Sequence, residues 1–179
     1  MKTTTLLFLL FTAFSVIAQD KFFTNTGTIN FEASVPLYEE VKAVNRQVAI
    51  LLEPKTSTFI CTVVIKDFRF KLNLMQEHFN ENYMESDRYP LSEFKGKVEN
   101  ADKLTKDGSY TLNVTGTLQI HGVTKPYNTK AAFIVKDGTL KAVTSFQVRL
   151  ADHKISIPSI VGKKIAEVVK ITVDATYKP

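Results

Sequence analysis

Sulfur, imidazole and patterned charge are all scarce in this sequence. The one cysteine, Cys61, cannot form an internal disulfide, so the fold rests on its core rather than on covalent staples. Cys61 lies inside an apolar strand pattern, where a small buried hydrophobe is the ordinary role, and the sequence nominates no base to make it a nucleophile. The three histidines, His78, His121 and His153, stand apart, with neither a second histidine nor a carboxylate at metal-ligand spacing. Glu77 precedes His78, but adjacent residues on a helix point in different directions. Nucleophile motifs of the Gly-x-Ser-x-Gly kind and phosphate-cradling glycine loops are missing. No catalytic residue, metal site or cofactor is therefore nominated, and the chain reads as a non-enzyme. No run of five or more like charges occurs, which argues against the basic stripe of a nucleic-acid binder. The net charge of +5 suits an anionic head group or membrane surface, and solubility accounts for it equally well.

Long hydrophobic runs are also missing. The longest, over residues 6–17, is too short to span a bilayer. With Lys2 before it and Val16-Ile17-Ala18 after it, residues 1–18 read as a secretory signal cleaved after Ala18. The next residue is Gln19 rather than cysteine, so no bacterial lipid anchor is expected. Residues 19–179 are then one soluble, exported domain without a transmembrane segment, periplasmic or secreted, and large enough for a sizeable core. The sequence does not set its oligomeric state, a dimer included.

What the chain does have is alternation. Residues 28–33 read as a strand, 36–41 as a helical turn and 47–52 as an apolar segment. Residues 58–70 read as one long strand, apolar on both faces and so covered on both sides along part of its length. The strongest signal lies at 109–120, where Tyr110, Leu112, Val114, Leu118 and Ile120 share one face and Gly116 marks a bulge or bend. Residues 121–126 read as a turn. Residues 127–136 return with Tyr127, Thr129, Ala131, Phe133 and Val135 on one face. Asp137-Gly138 is a hairpin signal, 139–150 runs back, and 151–164 is irregular. Val169, Ile171, Val173, Ala175 and Tyr177 alternate along the last strand, 165–177. Together with 92–99 this makes about eight strands at the spacing of a sandwich or barrel, with hairpins that favour antiparallel pairing.

One stretch departs from alternation. Over residues 73–84, Met75, Phe79 and Tyr83 recur every four residues on one face of a helix, before Tyr89-Pro90 ends it. Asn73 and Gln76 fit a capping box at its start. A lone amphipathic helix between strands must lay its apolar face on a sheet, and the open end of a barrel is the expected place. The stripe serves either as ordinary core or as ligand contact. His78 either caps a ligand head group or bonds to backbone. Arg149, Asp152, Lys154, Lys163 and Lys164 form either a polar mouth or a solvated loop.

Three sets of residues carry a resemblance. The first is Phe68-x-Phe70, Met75-x-x-His78-Phe79, Tyr83, Tyr89-Pro90 and Phe94. The second is Gly116-x-Leu118-x-Ile120-His121-Gly122-Val123-Thr124-Lys125-Pro126, and the third is Arg149-x-x-Asp152 with Val169-x-Ile171-x-Val173. In this order they resemble the YceI-like family, the lipocalin-like polyisoprenoid-binding proteins of bacteria. His153-Lys154 stands where the family usually has an aromatic residue and glycine, and the N-terminal third matches loosely. The resemblance implies an all-β, eight-stranded antiparallel lipocalin-like β-barrel, exported, with a short helix closing one end and a lipid-like chain in its lumen. The residues expected to contact that ligand are Phe59, Phe68, Phe70, Met75, His78, Phe79, Tyr83, Tyr110, Leu112, Val114, Leu118, Phe133 and Phe146.

Physical reasoning from the residues agrees. An eight-stranded barrel is just wide enough for a small ligand. A buried acyl or prenyl chain gains about 0.8 kcal/mol per CH₂, offset by the cost of ordering it. An apolar tube reads mainly length and girth, so a polyisoprenoid, a quinone or a fatty acyl derivative all fit. Binding with transport or storage of such an amphiphile is the expected function. The alternative is a β-rich cell-surface or periplasmic interaction domain with a solid core and no ligand.

Overall fold

Two tight turns organise the second half of the chain. Both residues of His121-Gly122 (φ 51° and 71°) and of Asp137-Gly138 (φ 50° and 75°) have left-handed backbone. This is the mirror-image two-residue turn whose twist matches that of the flanking strands. The structure is a computed structural model that describes residues 21–159 and 161–178. The expected signal sequence and its cleavage after Ala18 lie outside the described residues.

The strands are β1 (Phe22–Glu32), β2 (Lys42–Glu53), β3 (Thr58–Val64), β4 (Arg69–Phe70), β5 (Leu91–Val98), β6 (Gly108–Ile120), β7 (Val123–Lys136), β8 (Thr139–Arg149) and β9 (Val168–Tyr177). Leaving out the two-residue β4, each strand pairs antiparallel with the one before it, and β9 pairs with β1 to close an eight-stranded barrel. Closure leaves no long unpaired edge. At one end, here the floor, a 3₁₀ turn over Ala101–Thr105 plugs the barrel with Ala101 and Leu104, which pack with Leu52, Val98 and Leu140. At the other end lies the expected helix.

Several expectations are corrected here. Residues 58–70 are not one strand. The ladder with β5 ends at Val64↔Leu91, and beyond it the Ile65 N–H still donates to the Pro90 carbonyl at 2.9 Å. Pro90 has no N–H to return the bond, so the chain leaves the sheet through a 3₁₀ turn, Ile65–Asp67. It then drops Ile65 and Phe68 into the interior, and β4 adds to β2 instead. On the second face of β3, Ile60 and Thr62 are half-buried and only Val64, at the strand's end, is exposed, at 39%.

Gly116 is no bulge, because the β5–β6 register is unbroken from Glu93↔Gln119 to Val98↔Val114. It faces Gly96, and a Cβ at 116 would lie 2.3 Å from the Lys95 carbonyl oxygen and 2.6 Å from the Gly96 Cα. The paired glycines let two strands approach where the sheet curls. The irregularity that does exist lies in β1, where the register shifts between Thr24 and Ile29.

The turn read over 121–126 is shorter, since β7 is already paired from Val123. Pro126 fits in a strand because β8 does not pair with β7 before Ala131.

Candidate functional site

The helix that covers the barrel is not the uniform one its spacing predicts. An α-helix spans Asn73–His78, and Phe79–Tyr83 winds as a wider π-helical turn in which the Met84 N–H reaches the Phe79 carbonyl at 2.9 Å. The wide turn moves the inward face from four residues on to five. Phe79 and Met84 are therefore buried, while Tyr83 is half-buried, Met75 is half-buried and His78 is exposed. The capping box is not formed: Leu72 holds the cap position with no side-chain bond, and Gln76 Oε1 instead accepts from the Phe70 N–H at 3.4 Å. Gln76 is drawn to the orphaned amide of the short β4 rather than to its own helix start.

Beneath this lid the barrel holds a cavity of about 150 Å³. The lid side of its wall is built by Ile65, Phe68, Phe79 and Met84, and the middle by Phe59, Phe94, Val114, Leu118 and Phe146. The wall also includes Cys61, level with Phe94, and, toward the floor, Phe133, Ala175 and Tyr177. Among the described residues Glu93 is the one carboxylate on the wall, and no lysine or arginine contributes to it. Burial pushes the Cys61 thiol up to about 12, so it is a neutral, unreactive group. Burial likewise pushes the Tyr177 phenol well up, and Cys61 adds to that.

Of the residues expected at the ligand, Phe59, Phe68, Phe79, Val114, Leu118, Phe133 and Phe146 come together on this wall. Phe70 packs behind it, with its ring 5.0 Å from Phe79 and 6.1 Å from Phe31. Leu112 is buried in the core beside the cavity, not on its wall. Tyr110 packs against the core off the wall, its hydroxyl 3.1 Å from the Lys106 carbonyl oxygen and 3.3 Å from that of Asp107. Met75, His78 and Tyr83 also lie off the wall. Sequence reasoning missed Phe31, Met84, Phe94, Ile120, Tyr127 and the inward face of β9, which are on the wall. The alternation in β9 and at Ile29/Phe31 carried that signal. Met84 carried none, because only the wide turn brings it inward.

Polar contacts pin the lid's far end. His121 Nε2 lies 2.7 Å from Glu85 Oε2, and His121 Nδ1 lies 3.3 Å from the His153 carbonyl oxygen. A carboxylate oxygen accepts, so His121 Nε2–H is the donor in the shorter contact. The Tyr89 ring packs on His121 at 4.5 Å, and Arg88 lies over Tyr89. His153 is fully buried, with Nδ1 3.0 Å from the Val123 carbonyl oxygen. Beside this latch the wall itself is weak. Backbone pairing of β7 with β8 runs only from Lys136↔Thr139 to Ala131↔Thr144. Farther toward the lid, side chains bridge the seam: Thr129 to Thr144 at 3.2 Å and the Tyr127 hydroxyl to the Gln147 carbonyl at 3.3 Å. Tyr127 and Phe146, 5.8 Å apart between ring centres, face the cavity there.

A closed eight-stranded antiparallel sheet with an apolar, lidded interior places the chain among the small closed β-barrels. Within that class the YceI-like domain model matches residues 16–177, and the chain belongs to the YceI-like family. No curated protein matches it in sequence. Among solved structures, it is similar to a polyisoprenoid binding domain from Saccharophagus degradans implicated in plant cell wall breakdown. That match has a TM-score of 0.78 at 13% identity, covering 89% of this chain and 98% of the other. BcnA of Burkholderia cenocepacia is similar at TM-score 0.71 and 12% identity, covering 85% and 96%. The YceI protein of Campylobacter jejuni is similar at TM-score 0.53 and 21% identity, covering 74% and 81%. At these identities the likeness establishes the fold.

Among the described residues no helix is long and apolar enough to cross a membrane. No cluster of three or more potential metal ligands occurs among them either.

Proposed function

We propose that this protein binds a lipid-like amphiphile, a polyisoprenoid, quinone or fatty acyl derivative, in its barrel and transports or stores it outside the cytoplasm without chemically altering it. The observation that carries this reading is the cavity, walled by hydrocarbon and aromatic side chains with no cation among them. Each buried CH₂ of a ligand there gains about 0.8 kcal/mol before the cost of ordering the chain is subtracted. The polyisoprenoid-binding description of the Saccharophagus degradans domain supports the same ligand class.

A cavity of about 150 Å³ suits a benzene-sized ring. A prenyl chain several times longer enters only if the lid and the side-chain seam between β7 and β8 give way. Access is therefore assigned to the lid end. Native mass spectrometry of the exported protein tests the reading, with intact mass also reporting whether the chain begins at Gln19. A co-purified lipid mass, or saturable binding of a prenyl probe, is the expected result. No bound mass and no probe binding would overturn it in favour of an interaction domain.

A further inference from the structure

The cavity wall carries a hydroxyl with no hydrogen-bond partner among the described residues. Tyr177, the last residue of β9, pairs with Leu140 at the floor end of the barrel, whereas the lid lies toward the Val168 end of the same strand. Its side chain is 0% exposed and contributes to the cavity wall, and its hydroxyl has no hydrogen-bond partner among the described residues. Leaving a buried hydroxyl unpaired is costly, and phenylalanine would fill nearly the same space without that cost. A phenol hydroxyl lies in the plane of its ring, so it cannot search for a partner unless the ring moves. Phe22 packs on this ring edge-on at 6.1 Å, and Leu140 is fully buried opposite it. Cys61 is near enough to act on the phenol electrostatically, but no hydrogen bond joins them.

We propose that Tyr177 is a ligand-binding residue whose hydroxyl donates a hydrogen bond to an uncharged oxygen, carbonyl, hydroxyl or ether, at the inner end of the bound amphiphile. The phenol stays protonated and is always able to donate. The absence of any lysine or arginine from the wall excludes a phosphate or carboxylate from that position, because a buried anion needs a paired cation. An anionic amphiphile is thus confined to a tail-inward pose that does not use Tyr177. A neutral one places its oxygen inward. Ser92 has the other unpartnered hydroxyl on the wall. A serine hydroxyl rotates freely, so Ser92 carries less information about what it meets.

This inference rests on the lipid-binding reading above, and the experiment separates the two. The exported protein and its Tyr177→Phe variant are titrated, by displacement of a fluorescent apolar dye, with three prenyl probes of similar length. These are a methyl ketone, the parent hydrocarbon and a monophosphate. Tyr177→Phe should weaken the ketone roughly five-fold, the scale of one net hydrogen bond, while the hydrocarbon and the monophosphate bind as before. In the infrared, the ketone carbonyl stretch should be lowered in the wild type and return toward its apolar-solvent value in the variant. Without ligand, Tyr177→Phe should melt at the same or a higher temperature. Equal ketone affinity and an unchanged carbonyl stretch would overturn the inference while leaving lipid binding intact. A clear fall in the ligand-free melting temperature would also overturn it, since the hydroxyl would then serve the fold. If none of the probes binds either protein, the lipid-binding reading itself fails.

Discussion

The two ends of the barrel close in different ways. The floor is hydrocarbon against hydrocarbon: Leu52, Val98, Ala101, Leu104 and Leu140 are all fully buried, and a short 3₁₀ turn holds two of them in place. The lid is an aromatic cluster of Phe31, Phe68, Phe70 and Phe79, with ring centres 5.0–6.4 Å apart. Of these rings only Phe79 lies on the covering helix, whose six α-helical residues include none that is buried. Leu74 on that helix is 60% exposed. The lid's other attachments are the His121–Glu85 contact and an exposed Lys66–Asp87 pair at 2.5 Å. A floor built this way can open only by losing core. The lid lifts by exposing Phe79 and Met84 and giving up ring contacts and polar bonds, and the polar bonds are partly replaced by water. Under the proposed function, stability and ligand exchange fall to opposite ends of one domain.

The largest effect should come from the floor. Leu104→Ala should lose about 2–5 kcal/mol of stability in urea unfolding, the range for emptying a solid core, with little change in ligand release. Phe79→Ala, in the lid, should lose only about 1–2 kcal/mol, below the roughly 3–5 kcal/mol of a solid-core phenylalanine. It should also release a fluorescent amphiphile several-fold faster. A full core-sized loss with unchanged release would erase the distinction between the ends.

Leu118→Trp tests the space between them. Leu118 is on the cavity wall, so the larger ring should occupy the lumen and reduce lipid load severely. The fold should survive, whereas overpacking a solid core costs about 1–3 kcal/mol. Lipid occupancy and thermal melting measured together decide.

A smaller effect is expected at the latch. His121→Ala should cost about 1 kcal/mol or less, yet speed ligand release and the labelling of Cys61 by a small thiol reagent. Cys61 faces the cavity, so its labelling rate reports how often the lid end opens. Leu104→Ala, measured under strongly native conditions, should not speed it comparably.

The smallest effect is alkaline. The Cys61 thiol is raised from 9.0 to about 12 in the folded chain. The unfolded chain therefore releases this proton first, and its contribution to stability is complete below pH 9 and is lost as pH rises toward 12. The alkaline limb of a stability–pH curve should be shallower in Cys61→Ala.

Local rules made the second half of the chain legible. Alternation along β6, β7 and β9 needs only the two-residue period of a strand, and Asp137-Gly138 needs only the left-handed backbone that glycine and aspartate tolerate. The family resemblance extended that reading to the barrel and its cap. What the pattern could not decide depends on contacts between distant residues. Pro90 ends the β3 ladder only because it faces Ile65 across the sheet. Gly116 looks like a bulge until Gly96 is placed opposite it. The wide turn after His78 shows no periodic signature, yet it exchanges Tyr83 for Met84 on the inner face. Tyr177 reads as one more inward residue of an alternating strand. Whether its hydroxyl has a partner is set by what β1, β3 and β8 bring around it, and only the closed barrel decides that.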